Sequence, residues 1–334
     1  MTRVVILVNT GTPDDPGVRP VRKYLSEFLN DPFVIDIPWA LRKILVNLII
    51  VPFRARHSAS LYSRLWTKEG SPLRVNMEKL AEKLQKEAGD EYRAIGAMRY
   101  SNPSLEKILT EIKKNSPEKI TIFPLFPQYA SSTTGSIADL VERSTGKKGR
   151  IHQVDIIDQY HSHPAFIKAY ATIIREYDTD KYDHIVFSYH GLPLRHLRKI
   201  HREQEPESCS CDTSVPEYGR YCYKAACYET SRLLAHELGL HPNEFSTTFQ
   251  SRLSKNWISP FTDETLLNLA SVGKKRVLVA APSFTADCLE TLIEINEDYR
   301  NIFLNNGGEE FEMVESLNYR DVWIKAIMEI VSEA

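Results

Sequence analysis

Short apolar runs of strand length alternate along this chain with stretches whose hydrophobic residues recur every three or four positions. The runs at 4–8, 120–126, 151–157, 184–189, 245–250 and 276–281 are rich in β-branched and aromatic residues and predict strands. Val18, Val21, Leu25 and Phe28 stand at i, i+3, i+7 and i+10, and near the end Val322, Trp323, Ala326, Ile327 and Ile330 repeat a helical period. Alternation of this kind predicts parallel sheets with crossover helices, the doubly wound α/β class. A chain of 334 residues has room for two domains of about 150 residues each, and the pattern divides them at a join near 155–163. There is no internal sequence repeat and no low-complexity tract.

Doubly wound folds bind ligands beyond the carboxyl ends of their strands, so the loops there are where chemistry is expected. Asn9-Thr10-Gly11-Thr12-Pro13 follows the first run, the hydroxyl-rich Ser131-Ser132-Thr133-Thr134-Gly135-Ser136 follows the second, and His190-Gly191-Leu192-Pro193 follows the fourth. None has the glycine spacing of a dinucleotide fingerprint or a P-loop, which argues against a nucleotide. The hydroxyl-rich loop suits an anion and equally suits turn and cap chemistry. Past the sixth run, Glu290, Glu294 and Asp298 lie at i, i+4 and i+8, so a helix would stack three carboxylates on one stripe. Such neighbours repel by about 0.2–0.5 kcal/mol per pair, and a bound cation reverses the sign; alone, the stripe also fits a solvated acidic face. His190 closes a buried-looking strand, and imidazole titrates near neutrality or, when neutral, ligates metal. Facing the carboxylates, it would accept protons from a substrate and handle a divalent cation with them.

Four of the five cysteines, Cys209, Cys211, Cys222 and Cys227, crowd into nineteen residues with the spacing C-x-C-x10-C-x4-C. Four thiolates close the shell of a 2Fe-2S cluster or of a structural zinc. Met1-Thr2-Arg3 runs straight into the 4–8 strand, which is too short for a signal segment, so export is not expected. In a reducing compartment such thiols are metal ligands rather than disulfides. Cys288 stands apart and is expected to pack in the core. The composition, 42% hydrophobic and 26% charged with a formal net charge of -2, gives no basic excess and argues against nucleic acid as a partner.

Ser188-Tyr189-His190-Gly191-Leu192-Pro193, Pro124-Leu125-Phe126-Pro127-Gln128-Tyr129 with Ser132-Thr133-Thr134-Gly135-Ser136, and Phe284-Thr285-Ala286-Asp287-Cys288-Leu289-Glu290-Thr291-Leu292 together resemble the ferrochelatases, the terminal enzymes of haem synthesis. The resemblance runs nearly end to end, from Leu7-Val8-Asn9-Thr10-Gly11-Thr12-Pro13 through Leu29-Asn30-Asp31 and Glu69-Gly70-Ser71-Pro72-Leu73 to Trp257 and Thr262-Asp263-Glu264-Thr265. It implies two similar doubly wound, chelatase-type domains with a porphyrin cleft between them. These would be residues 1–158, to which a C-terminal helix at 317–334 returns, and 159–316, which carry the cysteines. The implied reaction inserts Fe2+ into free-base protoporphyrin IX, releases two protons and yields haem. By the same resemblance His190 and Glu290 are catalytic, and His190, Glu290, Glu294 and Asp298 meet the substrate iron. Thr10, Arg54, Arg99, Tyr100, Tyr129, Ser131 and Trp257 would contact the porphyrin. Some bacterial ferrochelatases hold a 2Fe-2S cluster through four cysteines in this insert, which implies that Cys209, Cys211, Cys222 and Cys227 do so here, with Zn2+ the alternative. The chain departs from the family at 250–257, which lacks the Gly-Pro usual before the tryptophan and is a residue shorter.

Two readings of other classes stand beside this one: a cytosolic iron-sulfur sensor that merely holds metal, and a related chelatase placing cobalt or iron in another tetrapyrrole. The stretch 35–53 is apolar but broken by Arg42, Lys43 and Asn47, too short to span a bilayer. It is expected to lie against a membrane surface or to line the lip of a hydrophobic cleft, with a buried core helix as the alternative. The expected setting is the cytoplasm, peripheral on the inner face of the cell membrane, as a monomer or homodimer.

Overall fold

The computed structural model of the chain describes residues 3–115, 117–145, 153–201, 209–216 and 219–334. Among them are eight strands in two parallel sheets: β1 (Arg3–Asn9), β2 (Arg93–Met98), β3 (Lys119–Pro124) and β4 (Gln153–Ile156) in the first, β5 (His184–His190), β6 (Phe245–Gln250), β7 (Arg276–Ala280) and β8 (Glu310–Met313) in the second. The strand orders are β2-β1-β3-β4 and β6-β5-β7-β8, the same winding twice. Each of the six runs expected from the pattern contains a strand; Ile151 and His152 of the third lie outside the described residues. β2 and β8 are additions, both at sheet edges, where a half-exposed strand needs no continuous apolar run.

Contacts divide the chain into two compact units, Met1–Phe126 with Ala130–Asp158 and Val331–Ala334, and Pro127–Tyr129 with Gln159–Ile330. In the first, Val4, Ile6 and Val8 of β1 and Ile120 and Ile122 of β3 pack with Leu105, Leu109, Ile137 and Val141 from the helices Leu105–Ile112 and Ser136–Thr145. In the second, Val186, Val277 and Val279 pack with Leu266, Leu269, Ile295 and Phe303. Each such side chain, fully buried, stabilises its unit by about 1.5–3 kcal/mol. Central β1 and β5 are covered on both faces, which is why they read as unbroken apolar runs.

Local signals set the helix limits. Pro72 opens the helix Pro72–Ala88 with its φ already suitable, and Gly89, at φ +56, ends it. The terminal helix Asp321–Ser332 buries Trp323, Ile324, Ala326, Ile327 and Ile330. The Trp323 ring lies tilted 5.9 Å from Tyr160 and edge-on 6.0 Å from Phe166, and this segment belongs to the second unit as far as Ile330. Of the expected return of 317–334 to the first unit, only Val331–Ala334 do so, because that aromatic contact holds the rest.

Candidate active site

In the second unit β5 and β7 are neighbours at the point where the winding reverses, the place where doubly wound sheets open a ligand crevice. His190 ends β5 at this edge, and its backbone N–H donates to Ser283 Oγ at 3.2 Å, just past β7. Its Nδ1 lies 2.7 Å from the Gly191 carbonyl oxygen. A carbonyl only accepts, so Nδ1 carries a proton, which leaves Nε2 as the nitrogen that can accept one from a substrate when the ring is neutral. Trp257 and Phe284 flank the imidazole, with ring centres 6.4 Å and 6.3 Å away.

Although 250–257 departs from the family pattern, it holds Trp257 firmly. Leu194 N–H donates to Asn256 O at 3.0 Å and Ile258 N–H to Leu192 O at 3.0 Å, pairing this loop with the one that follows His190. Gly191 permits the approach, since a Cβ there would sit 2.7 Å from Gln250 O and 3.3 Å from the Trp257 ring.

Beyond β7 the carboxylates stand on a π-helix, Glu290–Tyr299, not on the ordinary helix that their spacing suggests. π-helices seldom exceed one turn and gather at functional sites, so ten residues of one is itself a signal. Along it Glu290 and Glu294 are half-buried and Asp298 is exposed. Glu290 hydrogen-bonds the buried Cys288 thiol, which burial, and then this carboxylate, push above its ordinary value. Glu294 accepts from Ser251 N–H at 2.7 Å, from Tyr299 O–H at 2.7 Å and from the Ser251 hydroxyl. It anchors a turn whose Ser251 sits at φ +61, a use the spacing did not reveal.

At the corresponding edge of the first unit, Arg99 and Tyr100 close round Asp31. Arg99 Nη2 lies 2.7 Å from Asp31 Oδ2, and the Tyr100 and Ser136 hydroxyls donate to the same oxygen at 2.8 Å and 2.7 Å. Asp31 is buried, and burial, then its charge, raise the Tyr100 phenol. The two residues expected at the porphyrin thus turn their polar ends into the protein. Gly11, at φ +125, lets the Thr10 segment run against Tyr100; a Cβ would fall 2.1 Å from the Tyr100 carbonyl oxygen. Thr10 and Ser131 are half-buried in this unit, and Ser131 opens a five-residue π-turn, Ser131–Gly135. Tyr129, in the second unit, packs edge-on to Tyr221 at 5.1 Å.

Arg54 lies exposed on a continuous helical stretch made of Trp39–Ile44, a π-segment Leu45–Ile50, and Val51–Leu65. Its inward face is Val46, Val51, Ala55 and Ala59, while buried Arg42 donates to the carbonyls of Asn30 and Ile37. Trp39, Leu48 and Phe53 are 68%, 69% and 80% exposed, with Leu41, Ile44 and Ile49 also outward, which excludes the buried core helix. Among the described residues no helix is long and apolar enough to cross a membrane.

All five cysteines are free and buried, and four gather beside the helix Tyr223–Leu238. Cys211 hydrogen-bonds both Cys222 and Cys209, and the Cys222 thiol is lowered by its bond from Cys211 while Cys211 is raised by the same bond, so the pair favours one shared thiolate. Lys224 Nζ stands 3.8 Å from Cys209 Sγ, and the Cys227 thiol bonds with Tyr223. His201, absent from the cysteine spacing, joins this group, with Nε2 3.1 Å from Cys222 Sγ. Buried thiols, one already disposed to lose its proton, beside an imidazole, fit a thiophilic metal centre.

Comparison with known proteins finds relatives along the whole chain. The profile of the family described as Ferrochelatase matches residues 2–334. The chain is 43% identical to "Ferrochelatase" of Legionella pneumophila (strain Lens) over 335 residues, covering 100% of this chain and 99% of that one. It is 40% identical to "Ferrochelatase" of Coxiella burnetii (strain Dugway 5J108-111) over 336 residues, covering 99% and 93%. Among solved structures, "SirB from Bacillus subtilis with Fe3+" is similar at a TM-score of 0.55 and 11% identity, covering 100% of this chain and 95% of that one, a likeness of fold.

Proposed function

The chain belongs to the ferrochelatase family, and from that premise we propose how its residues divide the work of placing Fe2+ in a porphyrin. The reaction is the haem-forming step: two pyrrole N–H protons leave, the metal enters, and no electron is transferred. A sensor that only stores metal would not need a family match along residues 2–334. We take the porphyrin to be protoporphyrin IX. His190 accepts a pyrrole proton at Nε2, because Nδ1 is committed to the Gly191 carbonyl. Glu290 takes the second, and Glu290, Glu294 and Asp298 lead protons or the substrate iron along the π-helix. Imidazole and carboxylate bind Fe2+ without trapping it as thiolates would.

Trp257 and Phe284 would hold the distorted ring, with Tyr129, Thr10, Ser131 and Arg54 meeting its periphery. Arg99 and Tyr100 act through the wall they stiffen around Asp31. Contacts of this kind support strain in the bound substrate and so affect turnover as well as binding. We also read the cysteine group as the home of a 2Fe-2S cluster, which would supply a rigid cross-link with electron-accepting capacity; zinc would supply the cross-link alone. The exposed apolar stripe of residues 39–53 supports a peripheral contact with the cytoplasmic face of a membrane, the source of a poorly soluble porphyrin.

The single basic nitrogen of His190 at the sheet's reversal point carries this reading. Incubating the protein with Fe2+ or Zn2+ and protoporphyrin while following the porphyrin bands tests it. His190→Ala should slow insertion by about 10²–10⁴-fold, the usual contribution of a general base. Insertion at the unaltered rate would remove His190 from the mechanism.

A further inference from the structure

Trp257 stands on the loop 251–260, which joins β6 to the helix Thr262–Ser271. The outer part of this loop, from Leu253 to Asn256, is exposed. Neither glycine nor proline stands between Ser251 and Asn256, so no fixed φ stiffens the backbone there. The loop is gathered at its neck instead. Phe249 N–H donates to Pro260 O at 2.8 Å, and across the same gap Arg252 forks its guanidinium between two carboxylates. Nη2 lies 2.7 Å from Asp263 Oδ2 and Nη1 2.7 Å from Glu264 Oε1, both acids being in the first turn of the helix. The guanidinium also sits 4.0 Å over the centre of the Phe261 ring.

We propose that Arg252 is a positioning residue for Trp257: by closing the neck of this loop it sets where the tryptophan ring stands beside His190. This rests on the reading of Trp257 as a wall of the porphyrin site. Arginine suits the task, because one planar fork reaches both carboxylates and lays its face on an aromatic ring, which the point charge of a lysine does not do. Asp263 and Glu264 stand where a helix favours negative charge, so the carboxylates remain ionised and ready for it.

The neighbouring residue is tied elsewhere. Ser251 N–H donates to Glu294 of the π-helix at 2.7 Å, so two consecutive residues fasten the start of the loop to two different helices. Past the tryptophan, Ile258 N–H donates to Leu192 O at 3.0 Å, in the loop that follows His190. With the neck open, the exposed chain between these ties would be able to shift, and Trp257 would lose its register against the imidazole, 6.4 Å away between ring centres. The Arg252 and Asp263 side chains are 27% and 29% exposed, so their ion pair adds little to the stability of the whole chain and its effect is local.

The test uses the full-length protein. Insertion of Zn2+ into protoporphyrin is followed over a range of porphyrin and of metal concentrations, and amide hydrogen exchange is measured across 251–258. Arg252→Gln should raise the porphyrin KM and lower kcat, together about 10–10²-fold in kcat/KM, the scale of a misplacement of about 1 Å remote from the chemistry. KM for the metal and the urea midpoint should stay near the parent's, and exchange across 251–258 should quicken. Arg252→Lys should recover part of the loss, and Asp263→Asn combined with Glu264→Gln should reproduce it. Trp257→Ala identifies the route: added to Arg252→Gln, it should cost no more than Trp257→Ala alone, the non-additivity of two residues that act through one. Parental kcat/KM in Arg252→Gln, a loss without faster exchange, or losses that multiply with Trp257→Ala would each overturn the proposal. Trp257→Ala with parental porphyrin kinetics would instead overturn the reading of Trp257 as a porphyrin wall, while faster exchange in Arg252→Gln would still show this side chain holding the loop.

Discussion

The two units wind their strands in the same order yet treat the reactive end of the sheet in opposite ways. In the first, Asp31 gathers Arg99, Tyr100 and Ser136 onto one carboxylate oxygen, leaving a stiff, internally satisfied wall. In the second, His190 fixes one nitrogen on a carbonyl and leaves the other out of that bond, in a unit that also carries the π-helix of carboxylates and the buried thiols. On the proposed assignment one topology serves as scaffold in one copy and as reactive machinery in the other, because function resides in the loops grafted onto a winding.

The largest expected effect tests the scaffold. The Arg99 and Asp31 side chains are only 14% and 3% exposed, so Asp31→Ala leaves a guanidinium buried without its counter-charge, at a cost of about 3–5 kcal/mol. Urea unfolding should report it as a lowered midpoint, and a midpoint that stays put would mean the wall is not held by this carboxylate.

A second test contrasts the two ends of β5. His190 stands at the reactive end, whereas His184, at the other, is buried with Nε2 2.8 Å from Ser246 Oγ. Burial, and then the Lys274 charge, push His184 down to about 4. The unfolded chain therefore takes a proton below about 6.5 that the folded chain refuses. Its stabilisation is whole above that pH and drains away as pH falls towards 4, up to about 3 kcal/mol at about 1.4 kcal/mol per unit. Replacing His184 by Gln should flatten the decline of stability between pH 7 and pH 4; an unaltered slope would assign acid sensitivity elsewhere.

The smallest effect concerns the outward stripe of the first unit. Leu48→Asp or Phe53→Ser should weaken sedimentation with anionic vesicles several-fold, about 1–2 kcal/mol for a side chain that is only partly inserted. Equal sedimentation of variant and parent would count against membrane contact.

The parts legible in the sequence were those where burial leaves a local mark. β1 and β5, covered on both faces, read as apolar runs, whereas β2, with Ala94, Gly96 and Ala97, and four-residue β8 do not, because an edge strand is half exposed. The repeated winding left no sequence repeat, since it asks only for apolar strands in order and not for the same residues. Glu290, Glu294 and Asp298 read alike on an ordinary helix and on a π-helix, so the spacing revealed the stripe but not its geometry. Asp31 reaches partners 68 and 105 residues away, and His201 stands eight positions before the first clustered cysteine, so neither bond has a local signature.

One consequence of the Gly191 carbonyl reaches into the timing of catalysis. An imidazole with a single usable nitrogen has room for one proton, while each round of metal insertion sheds two. On the proposed assignment the ring must therefore be emptied through the same doorway by which it was filled, and a second acceptor must stand near enough to clear the queue before the next substrate arrives.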